Sequence, residues 1–150
     1  MLDTILNVDG EEGQSIPLIV DSPHSGVIYP TDFNHQAEFS KLRQAEDSYV
    51  DELYYYVSEI GGVILNANFP RSYIDPNRAE TDFPIEELIE VEVKEEKILF
   101  NPTIKSELGI GLIWLRIPPN GEPMYANKIK FSEFIHRVKN YHRPYHKTLK

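Results

Sequence analysis

The chain has 150 residues, 41% hydrophobic and 11% aromatic, enough for one domain with a substantial core and with no sign of a second domain or of disorder. Fifteen Lys and Arg stand against 24 Asp and Glu, a formal net charge of −9, which argues against nucleic acid as a partner because no general basic field exists to neutralise phosphates. No apolar run approaches a membrane span, the N-terminus lacks the pattern of a secretory signal, and cysteine is absent, so a cytoplasmic protein is expected whose metal ligands, if any, are His, Asp or Glu.

Residues 1 to 16 carry Leu2, Ile5, Leu6 and Val8 around an Asp9-Gly10 turn signal, which suits an opening hairpin or an edge strand. Leu18 to Val20 read as a short buried strand that delivers His24 into a turn bounded by Pro23 and Gly26. Pro23 bars Ser22 from helical geometry and Gly26 is free to take positive φ, so the imidazole is expected beyond the carboxyl end of the strand, where α/β sheets gather their chemistry. Alternatively it is an incidental histidine in a turn. The segment from Val27 to Phe33 reads as a loop walling a pocket, and His35 as a surface residue.

From Ser40 to Ile60 the apolar period is helical, through Leu42, Tyr49, Val50, Leu53, Val57 and Ile60, and Gly61-Gly62 stops it. Ser48 with Asp51 resembles a capping box, so the main helix is expected to begin there, after a shorter element over 40–47. Asp47 then either caps orphan amides or, with Glu46, faces the strand ends as a metal carboxylate. Gly62 to Ala67 is a second short strand, parallel to the first across a right-handed crossover.

The segment from Asn68 to Glu80 is the densest in chemistry. Arg71, Asn77 and Arg78 follow directly on a strand end between Pro70 and Pro76. Guanidinium groups grip carboxylates with paired hydrogen bonds and polarise carbonyls. The bland alternative pairs Arg71 and Arg78 with Asp75, Glu80 or Asp82 in a solvated loop. Residues 80–96 hold eight acids against Lys94, a solvated face, with a short helix over Ile85, Leu88 and Ile89 and a strand-like Val91 and Val93. Gly109 to Ile117 reads as a strand whose Arg116 either reaches the pocket or caps the sheet surface. Ser132 is expected to cap a final helix with the stripe Phe134, Ile135, Val138, Tyr141, Tyr145 and Leu149, broken or kinked by Pro144. His142 and His146 share one face of it, but the glutamate of the common helical zinc motif is missing and Pro144 lies between them, so packing or pocket lining is favoured over metal ligation. No phosphate loop, serine-esterase elbow or internal repeat is present.

In order and spacing, Ser22-Pro23-His24-Ser25-Gly26, Asp47 with Asp51, Arg71 with Asp75-Pro76-Asn77-Arg78, and Tyr141-His142-Arg143-Pro144-Tyr145-His146 closely resemble the N-formylglutamate amidohydrolase family, and the Asp-x-Asn-Arg element is similar to that of the wider zinc carboxypeptidase and aspartoacylase group. The resemblance implies an α/β fold, a three-layer αβα sandwich with a mainly parallel or mixed sheet of the phosphorylase/hydrolase-like kind. It implies metal-dependent hydrolysis of N-formyl-L-glutamate to glutamate and formate, late in histidine breakdown, with zinc or another divalent metal as cofactor. His24 and Asp47 would be metal ligands, Arg71, Asn77, Arg78 and His146 would bind an N-acylated acidic amino acid, and Asn77 with Arg78 would stabilise the oxyanion. Family members are longer, continuing into a strand that ends in Asp-x-His-Ser and supplies a further metal-ligand histidine. The chain therefore reads as the N-terminal part of the family fold, with an incomplete metal site, little activity alone, and an uncovered surface that favours homo-oligomers. Two alternatives stay open: a metallohydrolase of another N-acyl amino acid, and a non-catalytic binding or assembly module.

Overall fold

A computed structural model describes residues 5–90 and 98–150. Three strands form the sheet that carries the site: β1 (Leu6–Asp9), β2 (Ile19–Ser22) and β3 (Val63–Ala67), in the order β1-β3-β2. β2 runs parallel to β3, pairing Ile19 with Val63, and β1 runs antiparallel to it, pairing Leu6 with Ala67. The sheet is thus mixed, within the α/β class expected, and β1 is the edge strand foreseen for the N-terminal residues. β2 is an edge strand too. This corrects the expectation of a buried strand at Leu18 to Val20: Ile19 is 61% exposed, whereas Ile64 and Leu65 of the central β3 are buried. Gly10 after β1 takes φ 95°, a backbone position that β-carbons disfavour and the Asp9-Gly10 pair announces.

The helical stretch predicted from Ser40 is divided, as the sequence suggested, into α1 (Phe39–Gln44) and α2 (Val50–Tyr54), the latter extended by a 3-10 turn over Tyr55–Val57. Ser48 does not cap α2. Its hydroxyl instead meets Arg43 Nη2 at 3.2 Å, and Tyr49 precedes the helix in a left-handed conformation, φ 67°, with no side-chain cap. Of the predicted stripe, Leu42 and Val57 are buried, but Tyr49, Leu53 and Ile60 are exposed, because the break at residues 45–49 turns the second helix out of phase with the first.

The apolar run from Gly109 to Ile117 is not a strand except at β5 (Arg116–Ile117), which pairs with β6 (Glu122–Pro123). Gly109 sits at φ 82° and Gly111 packs against Ser106 and the Asp82 carbonyl, so the run coils inward and buries Leu112, Ile113 and Trp114 instead of extending them. Arg116 is exposed and donates to the Gly121 carbonyl. A 3-10 turn over Ile85–Glu87 leads into β4 (Leu88–Ile89), which pairs in parallel with β7 (Ile129–Lys130). Val91 and Val93 lie outside the described residues.

After α3 (Ile104–Glu107), the chain ends in a helical arm of three parts: α4 (Phe131–Arg137), a π-helical turn over Val138–His142 and α5 (Arg143–Thr148). The helix starts before Ser132, with Lys130 at the cap position. Pro144 does not break the arm, because it stands in the first turn of α5, where its missing N–H is not needed, and the wide turn ahead of it absorbs the mismatch. Phe134, Val138 and Tyr145 are buried against the core as the stripe predicts. Tyr145 donates to Asp21 at 2.8 Å, laying the end of the arm over the face of the sheet that carries Ile19, Asp21, Val63 and Leu65. Among the described residues, no helix is long and apolar enough to cross a membrane.

Candidate active site

His24 stands in the turn just beyond the carboxyl end of β2, where the alternation of the parallel pair releases the chain. Gly26 permits the turn, though not through the positive φ expected of it: a Cβ there would collide with the Asn68–Phe69 peptide, so glycine is needed for the close approach of two backbones. Ile28 N–H donates to the Asn68 carbonyl at 2.8 Å and fastens the two loops together. The His24 turn and the arginine loop after β3 are thereby held side by side.

The two loops meet at Asp75, which is fully buried. Its Oδ1 lies 2.9 Å from His24 Nε2 and accepts the Asn77 backbone N–H at 2.9 Å. Its Oδ2 accepts from Arg71 Nη2 at 2.9 Å and Nε at 3.3 Å. Burial alone would raise the Asp75 carboxyl, but hydrogen bonds from His24 and Arg71 and their charge outweigh it and hold the group below its ordinary range. Asp47 closes the constellation from the other side: its Oδ2 lies 3.0 Å from His24 Nδ1 and 2.9 Å from Arg71 Nη1. Asp47 caps no helix, and its carboxylate is half exposed. Arg71 also lies over the Trp114 ring, 5.3 Å from its centre.

Each ring nitrogen of His24 therefore faces a carboxylate. Nε2 turns to the buried Asp75 and Nδ1 to the half-exposed Asp47. That is the arrangement in which a carboxylate behind a histidine orients it as a metal ligand. His24 Nδ1 and the Asp47 carboxylate are the N and O donors zinc accepts, so the donors present fit a divalent cation as two members of its set. Among the described residues, no group of three or more His, Cys, Asp or Glu side chains is arranged to hold a metal ion.

The remaining sequence-predicted residues lie next to this cluster. A hollow of about 390 Å³ is lined by Asp21, His24, Pro76, Asn77 and His146. A second, of about 600 Å³, shares Pro76, Asn77 and His146 and adds Arg78, Glu80, His142 and Lys147. The two adjoin at these three residues, His24 lining the first and Arg78 the second. Arg71, on the far oxygen of Asp75, and Asp47 line neither. The bland pairing foreseen for the arginines thus holds for Arg71 with Asp75. For Arg78 it does not, since Nη1 donates to the Asn77 carbonyl and Nε is buried without a partner among the described residues. His146 Nε2 lies 2.9 Å from the Pro76 carbonyl and His142 Nε2 2.8 Å from that of Arg78, so both histidines brace the loop as pocket-lining residues. Burial lowers the His142 pKa, against the hydrogen bond to the Arg78 carbonyl. Arg143 pairs with Glu80 at 3.0 Å, both lining the second hollow. His35, half-buried and packed edge-on to Phe33, and His136 line neither hollow.

Two residues of the cluster have roles the sequence did not assign. Asp75, read as a countercharge and as part of the Asp-x-Asn-Arg element, is its buried centre, and an aspartate two residues before Asn77 and followed by proline is poised to accept the i+2 amide, as it does. Glu46, expected to face the strand ends with Asp47, is instead buried beside it and accepts from Tyr29, Arg43 and Ser72.

The chain matches the model of the N-formylglutamate amidohydrolase family over residues 16–150. No curated protein matches it. Among solved structures it is similar to that of N-formylglutamate amidohydrolase from Ralstonia eutropha JMP134, with 38% identity and a TM-score of 0.87 over 97% of this chain and 50% of that one. The chain spans about half the length of that relative. With the ordered motifs folded into one cluster and the match running through them, the chain belongs to the N-formylglutamate amidohydrolase family.

Proposed function

We propose that this chain carries the substrate-holding groups and part of the metal-holding groups for hydrolysis of the formyl amide of N-formyl-L-glutamate, water adding across the C–N bond to give glutamate and formate. The observation that carries the reading is the placement of His24, backed by Asp75 and facing Asp47, on a hollow lined by Asn77 that adjoins the one lined by Arg78. His24 Nδ1 and the Asp47 carboxylate would hold the cation, zinc or another divalent metal. When bound, such a cation supplies Lewis acidity towards the amide carbonyl and a lower pKa for water.

The protein groups do the rest by position and charge. Arg78 has an unpartnered Nε and a guanidinium fixed at one edge by the Asn77 carbonyl, which suits it to grip a substrate carboxylate, and the Asn77 side-chain amide adds a neutral donor for the developing oxyanion. Arg71 is already bound to two carboxylates, so it reaches a substrate only by exchanging its contact with the half-exposed Asp47. A carboxylate-bearing ligand is compatible with an acidic protein because contacts this short outweigh a screened net field.

Calorimetric titration of the purified chain with zinc, beside His24→Ala and Asp47→Ala, tests the metal reading. We expect weak binding that both substitutions abolish, and little formate release from N-formylglutamate, because two protein donors fall short of the three a catalytic zinc uses. Rapid turnover by this chain would refute the incomplete site, and zinc binding indifferent to His24 would refute the metal assignment. A panel of N-acyl amino acids would reveal a preference for another acyl group. The reading places the protein in the cytoplasm. It also has the chain self-associate through the open edge of β2 and the exposed Ile19 and Leu53, which sedentary monomers in sedimentation velocity would contradict.

A further inference from the structure

Asp47 presents a difficulty that its own contacts do not resolve. Half of its side chain faces solvent, it follows the end of α1, and it precedes Tyr49 in a left-handed conformation. A carboxylate on such a loop loses rotamer and backbone freedom when held. Yet its Oδ2 lies within hydrogen-bond distance of both His24 and Arg71. Something else must fix the loop.

The neighbouring residue does so. Glu46 is buried, and its carboxylate is a junction of three chain segments. Tyr29, in the loop beyond His24, donates to both oxygens at 2.8 and 2.7 Å. Arg43 of α1 donates to Oε2 at 3.0 Å. Ser72, next to Arg71, donates to Oε1 at 3.0 Å. From the opposite side the Asp47 carbonyl accepts from Ser25 Oγ at 2.9 Å, and Ser25 Oγ in turn accepts from Ser22. Asp47 is thus gripped on both flanks, by Glu46 and by Ser25, and each grip leads back to a loop that carries another member of the cluster.

We infer that Glu46 is a positioning residue, whose buried carboxylate sets the distance between Asp47 and the His24–Arg71 pair and so prepares the cation-binding geometry. The inference rests on the proposed metal site but is readable without metal. A carboxylate anchored to both partner loops moves with them, so the Asp47 oxygen keeps its station on His24 Nδ1 whatever solvent does to its exposed half.

The test uses the whole chain with Glu46→Gln, the milder Ser72→Ala and Tyr29→Phe, and a core control, Phe134→Leu, far from the cluster. In the metal-free protein the ¹⁵N resonance of His24 Nδ1 reports its contact with Asp47. We expect it to move in Glu46→Gln and, less, in Ser72→Ala, and to stay put in the control at comparable loss of thermal stability. With zinc, Glu46→Gln should weaken binding about 10- to 100-fold, the usual effect of losing an outer-shell partner, with no change in the control. An unmoved His24 resonance in both Glu46→Gln and Ser72→Ala overturns the positioning role, whether or not zinc binds. A resonance that moves in Glu46→Gln and Ser72→Ala, beside a wild-type chain that fails to bind zinc through His24, upholds the positioning role and overturns the metal reading instead.

Discussion

Replacing Asp75 by Asn is the sharpest test of how the site is held together. The side chain is fully buried and accepts four hydrogen bonds, two from Arg71, one from the Asn77 amide and one shared with His24 Nε2. Asparagine keeps the shape but offers one acceptor oxygen and one amide. If the oxygen stays with His24 and Asn77, the amide points its hydrogens at the Arg71 donors, and turning it over moves the clash to the other side. The loss is one strong charge-assisted contact, about 1.5–3 kcal/mol, plus the cost of opposed buried donors, about 1–3 kcal/mol. Arg71 retains Asp47 and some solvent, which favours the lower end, so we expect a net loss of about 3 kcal/mol, or roughly 6–12 °C in Tm for a domain of this size. Thermal and urea unfolding followed by circular dichroism measure it, with and without 1 M NaCl. Because the pair is buried, salt should leave most of the loss in place. A loss under about 1 kcal/mol, or one that salt erases, would refute Asp75 as the centre of the cluster.

Gly26→Ala should cost at least about 2 kcal/mol in urea unfolding, since the new methyl meets the Asn68–Phe69 peptide rather than a side chain that can swing away; a neutral result would mean that the two loops separate easily. Arg137 is buried among Phe33, Tyr73 and Tyr125 and donates to the Tyr73 carbonyl and the Tyr125 hydroxyl, so Arg137→Met, which leaves both acceptors unpaired, should cost about 2–4 kcal/mol after recovered desolvation. Equal or greater stability of that variant would show the cation to be dispensable. His142, its pKa lowered by burial, binds its proton more readily in the unfolded chain, so its contribution to stability is present above the ordinary histidine value of about 6.5 and is lost as pH falls from there towards the lowered value. His142→Gln, which keeps a donor for the Arg78 carbonyl, should flatten the stability profile in that window, and an unchanged slope would refute the assignment.

Where the sequence was legible, a local rule and the tertiary structure agreed. Pro23 before His24, the Asp9-Gly10 turn and the Arg71 to Arg78 loop behaved as their residue types dictate, because each is governed by backbone sterics or by charge at short range, whereas Gly26 serves a close backbone approach and not the positive φ expected of it. The Gly109 to Ile117 run misled because apolarity alone does not separate a strand from a buried coil, and the deciding facts, the left-handed Gly109 and the crowding of Gly111 by Ser106, are contacts across the chain. The helical stripe ending at Ile60 misled differently: its period was sound, but Glu46 and Asp47 are drawn into the site and interrupt the phase. The parts Asp75 and Glu46 play were not legible because a carboxylate's worth depends on what surrounds it, and no spacing rule reveals burial. The functional reading has the His24 imidazole and the Arg71 and Arg78 guanidinium groups converge on one cavity at an end of the sheet, and the structure meets this only in part: Arg71 joins His24 through Asp75 but lines neither hollow, and Arg78 lines the hollow adjoining the one at His24.

The π-helical turn at Val138–His142 gives the C-terminal arm a register that an uninterrupted α-helix would lack. Its wider winding offsets everything downstream relative to Phe134 and Val138, so one continuous rod packs apolar side chains inward at its beginning and aims two imidazoles at the arginine loop near its end. Winding all five of these residues as plain α-helix, with none removed, would rotate α5 by roughly the 100° of one helical residue. The imidazole rings would leave the Pro76 and Arg78 carbonyls, and Tyr145 would swing off the sheet. A one-residue deletion within Val138–His142 that closes the turn to α-winding should therefore be tolerated, whereas one in α4 or α5 should not.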